Sequence, residues 1–224
     1  MDGNVQLYDK LLQLPLFQGM SHDDLTLVVG HTKIGFHKLS AGRLLVKDGD
    51  ICDQLYCLMS GALTVETIAD DRSYTFEETL SAPDLIQPER LFGLTQRFTH
   101  TYTTKTDCCL IALDKAETTK LIDQFIIFRL NLMNRIATNL QRAERRPWRR
   151  QPSDLRGKLI RFFEMHSLRP AGEKRITIKM IQLAHELNDS RLNISIVLNA
   201  LQAENLLTLY RGRIHIPALE HLLM

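Results

Sequence analysis

With 224 residues, 44% hydrophobic and 24% charged, the chain is long enough to bury one large or two small cores. The apolar run from Phe125 to Phe128 is cut by Arg129, and Met1-Asp2-Gly3-Asn4 has neither a basic n-region nor an apolar h-region. A membrane span and a secretory signal are therefore not expected, and the expected location is the cytoplasm. The formal net charge of +2 hides an asymmetry: residues 1–141 carry 13 Lys/Arg against 18 Asp/Glu, whereas residues 142–224 carry 15 against 8. A basic end on an acidic body suits a polyanionic partner.

In chain order, the first segment, to about Ala112, is rich in short β-patterns separated by Gly and Asp. Residues 42–50 read as a strand and a turn. Residues 55–66 read as two strands joined at Ser60-Gly61. Thr99 to Thr106 and Cys108 to Leu113 add β-branched and apolar runs. Many short strands at this spacing predict a sandwich or barrel. The four cysteines, Cys52, Cys57, Cys108 and Cys109, contain no CxxC pair, so reduced structural thiols are expected.

Asp114 and Glu117 favour the first turn of a helix whose pattern runs on through Asn139. Ile126, Leu130, Met133, Ala137 and Leu140 repeat at steps of four and three, the seam of a coiled coil, and are the predicted dimer interface. Phe125, Phe128 and Leu132 lie on the side left for packing on the β-domain. Pro147 and Pro152, within the basic run from Gln141 to Ser153, predict a hinge. An amphipathic helix from Leu155 to His166 follows, capped by Ser153 or Asp154, and residues 168–173 form a loop.

From Met180 to Asn199 the apolar positions fit two short helices broken at one point. Leu183, Ala184 and Leu187 make one face; Ile194, Val197 and Leu198 make the other. Asn188 suits the left-handed stop between them, and Asp189 or Ser190 can cap the second helix. This is the helix-turn-helix pattern, which places a helix in the DNA major groove. Leu206 to Tyr210, Arg211-Gly212-Arg213, and Ile214 to Ile216 then predict a β-hairpin whose arginines suit phosphates.

This order resembles the Crp/Fnr family of bacterial transcription regulators. The resemblance rests on Leu14-Pro15-Leu16-Phe17, Met20-Ser21 and Leu25. It continues through Gly42, Leu45, Gly49-Asp50, Asp53, Leu55-Tyr56, Leu58, Ser60-Gly61 and Val65, and then the helix-turn-helix. Glycines in the second block suit barrel corners where a Cβ would clash. The resemblance implies an α+β chain with a jelly-roll-like double-stranded β-helix sensor domain over residues 1–113. A long dimerisation helix over 114–146 and a winged helix-turn-helix over 147–224 complete it.

Cyclic-nucleotide-binding members open a short helix with Gly-Glu and place an Arg about ten residues on, for the phosphate and the ribose. Here Gln87-Pro88 stands in place of Gly-Glu, and Glu89 and Arg97 are the nearest substitutes. Glu89, Arg97, Thr99 and His100 are the candidate effector residues. The primary expectation is a small effector other than cyclic AMP. The alternatives are a barrel that serves only as a dimer or protein-docking scaffold, and a true cyclic-nucleotide sensor. No cofactor or metal is implied: the first cysteine is Cys52, away from the N-terminal cluster of iron–sulfur members, and His31, His37 and His100 are lone histidines.

The recognition helix also departs from the family pattern Arg-Glu-Thr-Val-Ser-Arg, reading Arg191-Leu192-Asn193-Ile194-Ser195-Ile196. The DNA-contacting candidates are Lys179, Ser190, Arg191, Asn193, Ser195, Arg211 and Arg213, with Arg191 suited to guanine and Asn193 to adenine. Leu192 and Ile196 suit thymine methyls or the core. The implied partners are double-stranded DNA with two half-sites, a second copy of the chain and RNA polymerase. An enzyme is not expected. The metal-dependent members of double-stranded barrels need a close His-x-His pair, whereas His31 and His37 are six residues apart, and no nucleophile–base motif is present.

Overall fold

Two stretches of chain far apart in sequence make up each of the two compact units: Met1–Leu63 with Leu80–Arg145, and Thr64–Thr79 with Arg146–Met224. The structure is a computed structural model and describes residues 2–145, 147, 148, 150 and 152–223. Of the predicted hinge, Arg146, Arg149 and Gln151 lie outside the described residues.

The first unit opens with two helices that the β-rich reading did not anticipate, α1 (Asp2–Gln13) and α2 (His22–His31). The second starts in a capping box: Ser21 Oγ accepts from the Asp24 amide, and the Asp24 carboxylate accepts from the Ser21 amide. Strands β1 (Gly35–Leu39), β2 (Leu44–Val46), β3 (Gln54–Ser60) and β4 (Ala62–Ile68) follow. After them come β5 (Tyr74–Ser81), β6 (Asp84–Ile86), β7 (Thr101–Thr104) and β8 (Cys108–Asp114). One antiparallel sheet runs β1-β8-β3-β6, and β2 pairs with β7 in the jelly-roll-like arrangement. Leu55, Cys57, Leu58, Leu63, Leu110, Ile111 and Leu113 are buried.

Corner glycines act in two ways. Gly61 has φ +90°, and a Cβ there would lie 2.4 Å from the Asp107 carbonyl oxygen. At Gly42 and Gly49 a Cβ would meet nothing within 4 Å, so left-handed φ alone favours glycine, not crowding.

The predicted single helix from Asp114 is two helices, α3 (Lys115–Gln124) and α4 (Ile126–Arg145). Asp114 caps the first by accepting from the Glu117 amide at 2.7 Å. Phe125 breaks the path with an extended backbone, φ −119° and ψ 105°. The break lets α4 turn Phe128 and Leu132 inward, with Phe128 against Phe17 at 5.4 Å between ring centroids. Asn131 Nδ2 donates to the carbonyls of Leu16 and Gln18, fixing the start of the helix to the segment after α1.

The second unit contains α5 (Leu155–His166), β9 (Lys174–Ile178), α6 (Met180–Leu187) and α7 (Arg191–Ala203). They are followed by β10 (Thr208–Tyr210), β11 (Arg213–Ile216) and α8 (Leu219–Leu222). Helix α5 has the predicted bounds, and its cap is Asp154, which accepts from the Gly157 amide. Into this unit reaches the end of the β4–β5 hairpin: Tyr74 to Glu78 pair antiparallel with Ile178 to Lys174. Phe76 is 2% exposed and packs in one core with Leu159, Phe162, Phe163, Ile176, Leu183, Ile194, Leu198 and Ile214. Strands β5 and β9 were not predicted.

In register on this inward face, Glu78 and Lys174 form a buried ion pair at 2.9 Å, their side chains 5% and 2% exposed. The carboxylate also accepts from the Leu168 amide at 2.9 Å, and the ammonium donates to the Ala171 carbonyl at 2.8 Å. His166 Nδ1 donates to the Phe162 carbonyl at 2.8 Å, since that oxygen only accepts, and Nε2 lies 3.0 Å from Tyr74 Oη. Glu78→Ala strands a buried ammonium and is expected to destabilise this unit by about 3–5 kcal/mol, read from urea unfolding of the full chain. A loss below about 1 kcal/mol would show that water reaches the lysine.

Candidate nucleic-acid interface and effector pocket

Helix α6 ends where Asn188 adopts the left-handed conformation, φ 49° and ψ 52°. The amides of Asn188 and Asp189 donate back to His185 and Ala184 carbonyls, closing the helix end. Two residues later Ser190 caps α7, its Oγ accepting from the Asn193 amide at 3.1 Å. Leu183, Ala184 and Leu187 of α6 and Ile194, Leu198 and Leu201 of α7 are buried together, with Val197 packed beside them. The outer side of α7 is thereby presented to solvent. The β10–β11 hairpin follows, pairing Tyr210 with Arg213 around Gly212, whose φ of +72° suits glycine.

Lys179 at the start of α6, Arg191 at the start of α7, and Arg211 and Arg213 at the hairpin turn are all exposed. None of the four has a carboxylate partner among the described residues. Two other cations of this unit are paired: Arg156 meets Glu204 in two bonds of 2.6 and 2.7 Å, and Arg175 meets Glu173. Asp189 is likewise taken, accepting from its neighbour's amide at Ser190 and from Asn193 Nδ2 at 2.8 Å; the Asn193 hydrogen bond, with that backbone bond, holds its carboxyl below the usual range. Arg191 therefore keeps its guanidinium for a partner, while Asn193 must exchange Asp189 to bind a base. Ser195 is half-buried, 3.5 Å from Asn199 Nδ2.

The coiled-coil seam is exposed along α4: Ile126 at 52%, Leu130 at 44%, Met133 at 59% and Leu140 at 64%, with Ala137 exposed between them. Phe128 and Leu132, on the other side, are buried.

The four effector candidates do not share one cradle. Glu89 is exposed and accepts from Asn139 Nδ2 of α4; Arg97 Nη1 donates to the Gly49 carbonyl at 2.7 Å. Thr99 is held by a residue outside the candidate set. Gln87, buried in the left-handed region at φ 39°, donates through Nε2 to Thr99 Oγ1 at 2.7 Å and accepts the Thr99 amide at 3.1 Å. The polar groups at that point are thus paired with each other, and Pro88 opens the short helix Pro88–Arg90 without an amide donor. The sequence signal for this clamp was Gln87 itself, whose partner lies twelve residues on. Asp84 forms an ion pair with Arg135 of α4 and also accepts from the Leu85 amide.

Burial, helped by Arg90, pushes His100 from 6.5 down to about 4, so its imidazole is neutral near pH 7. Burial also raises the Cys52 thiol to about 11, with Asp53 and Glu89 adding to the shift, and the Cys57 thiol to about 12, so both resist ionisation. Among the described residues no three His, Cys, Asp or Glu side chains gather as a metal site, and no helix is long and apolar enough to cross a membrane. Below pH 6.5 the unfolded chain binds a proton at His100 that the native chain refuses until about pH 4, so stability falls as pH drops through that window. His100→Gln is expected to flatten this limb in urea titrations between pH 7 and 4.5. Parallel curves for the two proteins would remove His100 from the balance.

Residues 36–125 match the family described as the cyclic nucleotide-binding domain. A search of curated proteins finds no match to the chain. Among solved structures, the sensor domain of the transcriptional regulator DNR from Pseudomonas aeruginosa is 16% identical. The match has a TM-score of 0.53 and covers 69% of this chain and 100% of that one. A protein assigned to the Crp/Fnr family of transcriptional regulators, from Eubacterium rectale, is 20% identical at a TM-score of 0.52, covering 94% of this chain and 96% of that one. These likenesses are of fold.

Proposed function

We propose that this chain, which carries a cyclic nucleotide-binding domain on the fold it shares with Crp/Fnr regulators, is a homodimeric DNA-binding transcription regulator and not an enzyme. The observation that carries this reading is the exposed start of α7, set beside α6 and the β10–β11 hairpin, with four cations that lack carboxylate partners among the described residues. In functional terms residues 1–113 are the sensor, 114–146 the dimerisation helix and 147–224 the winged helix-turn-helix. The compact units are drawn differently, since Thr64–Thr79 group with the C-terminal part. Cytoplasmic double-stranded DNA is the partner, and RNA polymerase enters only through the family resemblance.

Each half has its own support. The exposed seam from Ile126 to Leu140 suits a second copy, whose pairing would set two recognition helices about 34 Å apart on one face of the duplex. The Gln87–Thr99 clamp and Pro88 favour an effector other than cyclic AMP, and a ligand-independent scaffold is the second reading they favour. Calorimetry with cyclic nucleotides separates these from a true cyclic-nucleotide sensor: heat of binding at micromolar cyclic AMP would reinstate that sensor.

Sedimentation is expected to give a dimer at micromolar concentration and a monomer for Met133→Asp. A wild-type monomer, or no change on substitution, would remove the α4 interface. For DNA, Arg211→Ala and Arg213→Ala should weaken all sequences alike and reduce the salt slope by about one per lost phosphate contact. Arg191→Ala should relax preference at one position in each half-site, where a bidentate guanine contact contributes about 1–3 kcal/mol of discrimination. Selection from a random DNA pool checks both: an unchanged motif with uniformly weaker binding would assign Arg191 to phosphates.

A further inference from the structure

Successive residues of an α-helix are rotated by about 100°, so the buried stripe Ile194, Leu198 and Leu201 of α7 fixes what lies opposite. Diametrically across from it stand Leu192, Ile196 and Ala203, with Asn199 close beside them. Leu192 is 71% exposed and Ile196 59% exposed, so neither belongs to the core. Beyond Arg191 the helix carries no charged residue through Ala203. An outermost helix ridge in water is ordinarily its most polar part. Here it is aliphatic, with Arg191 at the start of the same helix and Lys179, Arg211 and Arg213, which likewise lack carboxylate partners among the described residues, on neighbouring elements.

We infer that Leu192 and Ile196 are specificity-determining residues that read the C5 methyl groups of thymines in the major groove, giving this chain an operator with A·T pairs under the first two turns of α7. The inference rests on the DNA-binding reading above and names what that surface recognises. Of the four base pairs, only those with thymine present an aliphatic group on the major-groove edge, the complement of a branched aliphatic side chain. Cationic surroundings favour a polyanion over an apolar protein groove as the occupant. Asn193 flanks this ridge, about 60° round the helix from Ile196, and is tethered to Asp189 at 2.8 Å.

The test is thymine-to-deoxyuridine exchange, which deletes the methyl and leaves pairing and phosphates intact. The duplex is the best sequence selected from a random pool by the full chain, and binding is read by fluorescence anisotropy. Deoxyuridine at the contacted positions is expected to weaken wild-type binding about fourfold per methyl, the equivalent of one buried CH₂. Leu192→Ala and Ile196→Ala should each lose the distinction at one position, retaining the wild-type salt slope and thermal midpoint because both side chains are exposed. Equal affinity for thymine and deoxyuridine at every position, with a selected motif still present, would overturn the methyl reading alone. Selection that yields no motif, or no binding, would overturn the DNA-binding reading and this inference with it.

Discussion

Glu78 and Lys174 meet across β5 and β9, and much of the second unit is built around keeping both charges satisfied. The carboxylate accepts from the lysine and from the Leu168 amide, while the lysine donates to the Ala171 carbonyl. The loop after α5 is therefore held to the strand pair at two points. On the same face, in register, Phe76 meets Ile176 and Tyr74 meets Ile178, continuing the pair into the apolar core. Replacing such a pair with matched apolar residues is often neutral, whereas leaving one member alone is severe. The pair's effect is therefore one of register: a shift by one residue would turn both charges, and the whole inward row with them, to the other side.

That pair also explains what was hidden in the sequence. Strand β5 alternates Tyr74, Phe76, Glu78 and Leu80, and β9 alternates Lys174, Ile176 and Ile178, so a charged residue occupies an inward position in each. Pattern reading assigns charges to solvent and loses both strands. Where the inward residues are all apolar, the bounds of α5 were legible, and the caps of α5 and α7 were each narrowed to two residues, of which Asp154 and Ser190 do the capping. The break at Phe125 was illegible for a different reason. Its surroundings, Ile126, Ile127 and Phe128, are compatible with a helix, and beyond the break Phe128 packs against Phe17.

The candidate surfaces divide in the same manner. The exposed place of a residue at a helix start, such as Arg191, can be read from spacing. Gln87 cannot, because its effect needs a left-handed backbone and a threonine twelve residues away. In the same unit as Gln87, α4 sorts its residues cleanly: Phe128 and Leu132 inward, Ile126, Leu130, Met133 and Leu140 outward, with Arg135 and Asn139 on Asp84 and Glu89. The helix whose exposed seam is proposed for a second copy is thus also bonded to the segment around the short Pro88–Arg90 helix.

The pairing of Thr75 with Thr177 spans about a hundred residues, and this has a consequence for how the chain matures on the ribosome. Synthesis proceeds from the N-terminus at roughly 5–20 residues per second. The end of the β4–β5 hairpin, with Phe76 and the Glu78 carboxylate, therefore emerges seconds before β9 exists to cover it. During that interval the nascent chain displays an unpaired strand edge beside an aromatic residue, a template for pairing with a neighbouring chain. The buried glutamate, while still solvated, is a charge on that edge of the kind that discourages such pairing. In the finished fold the same carboxylate is what Lys174 arrives to neutralise.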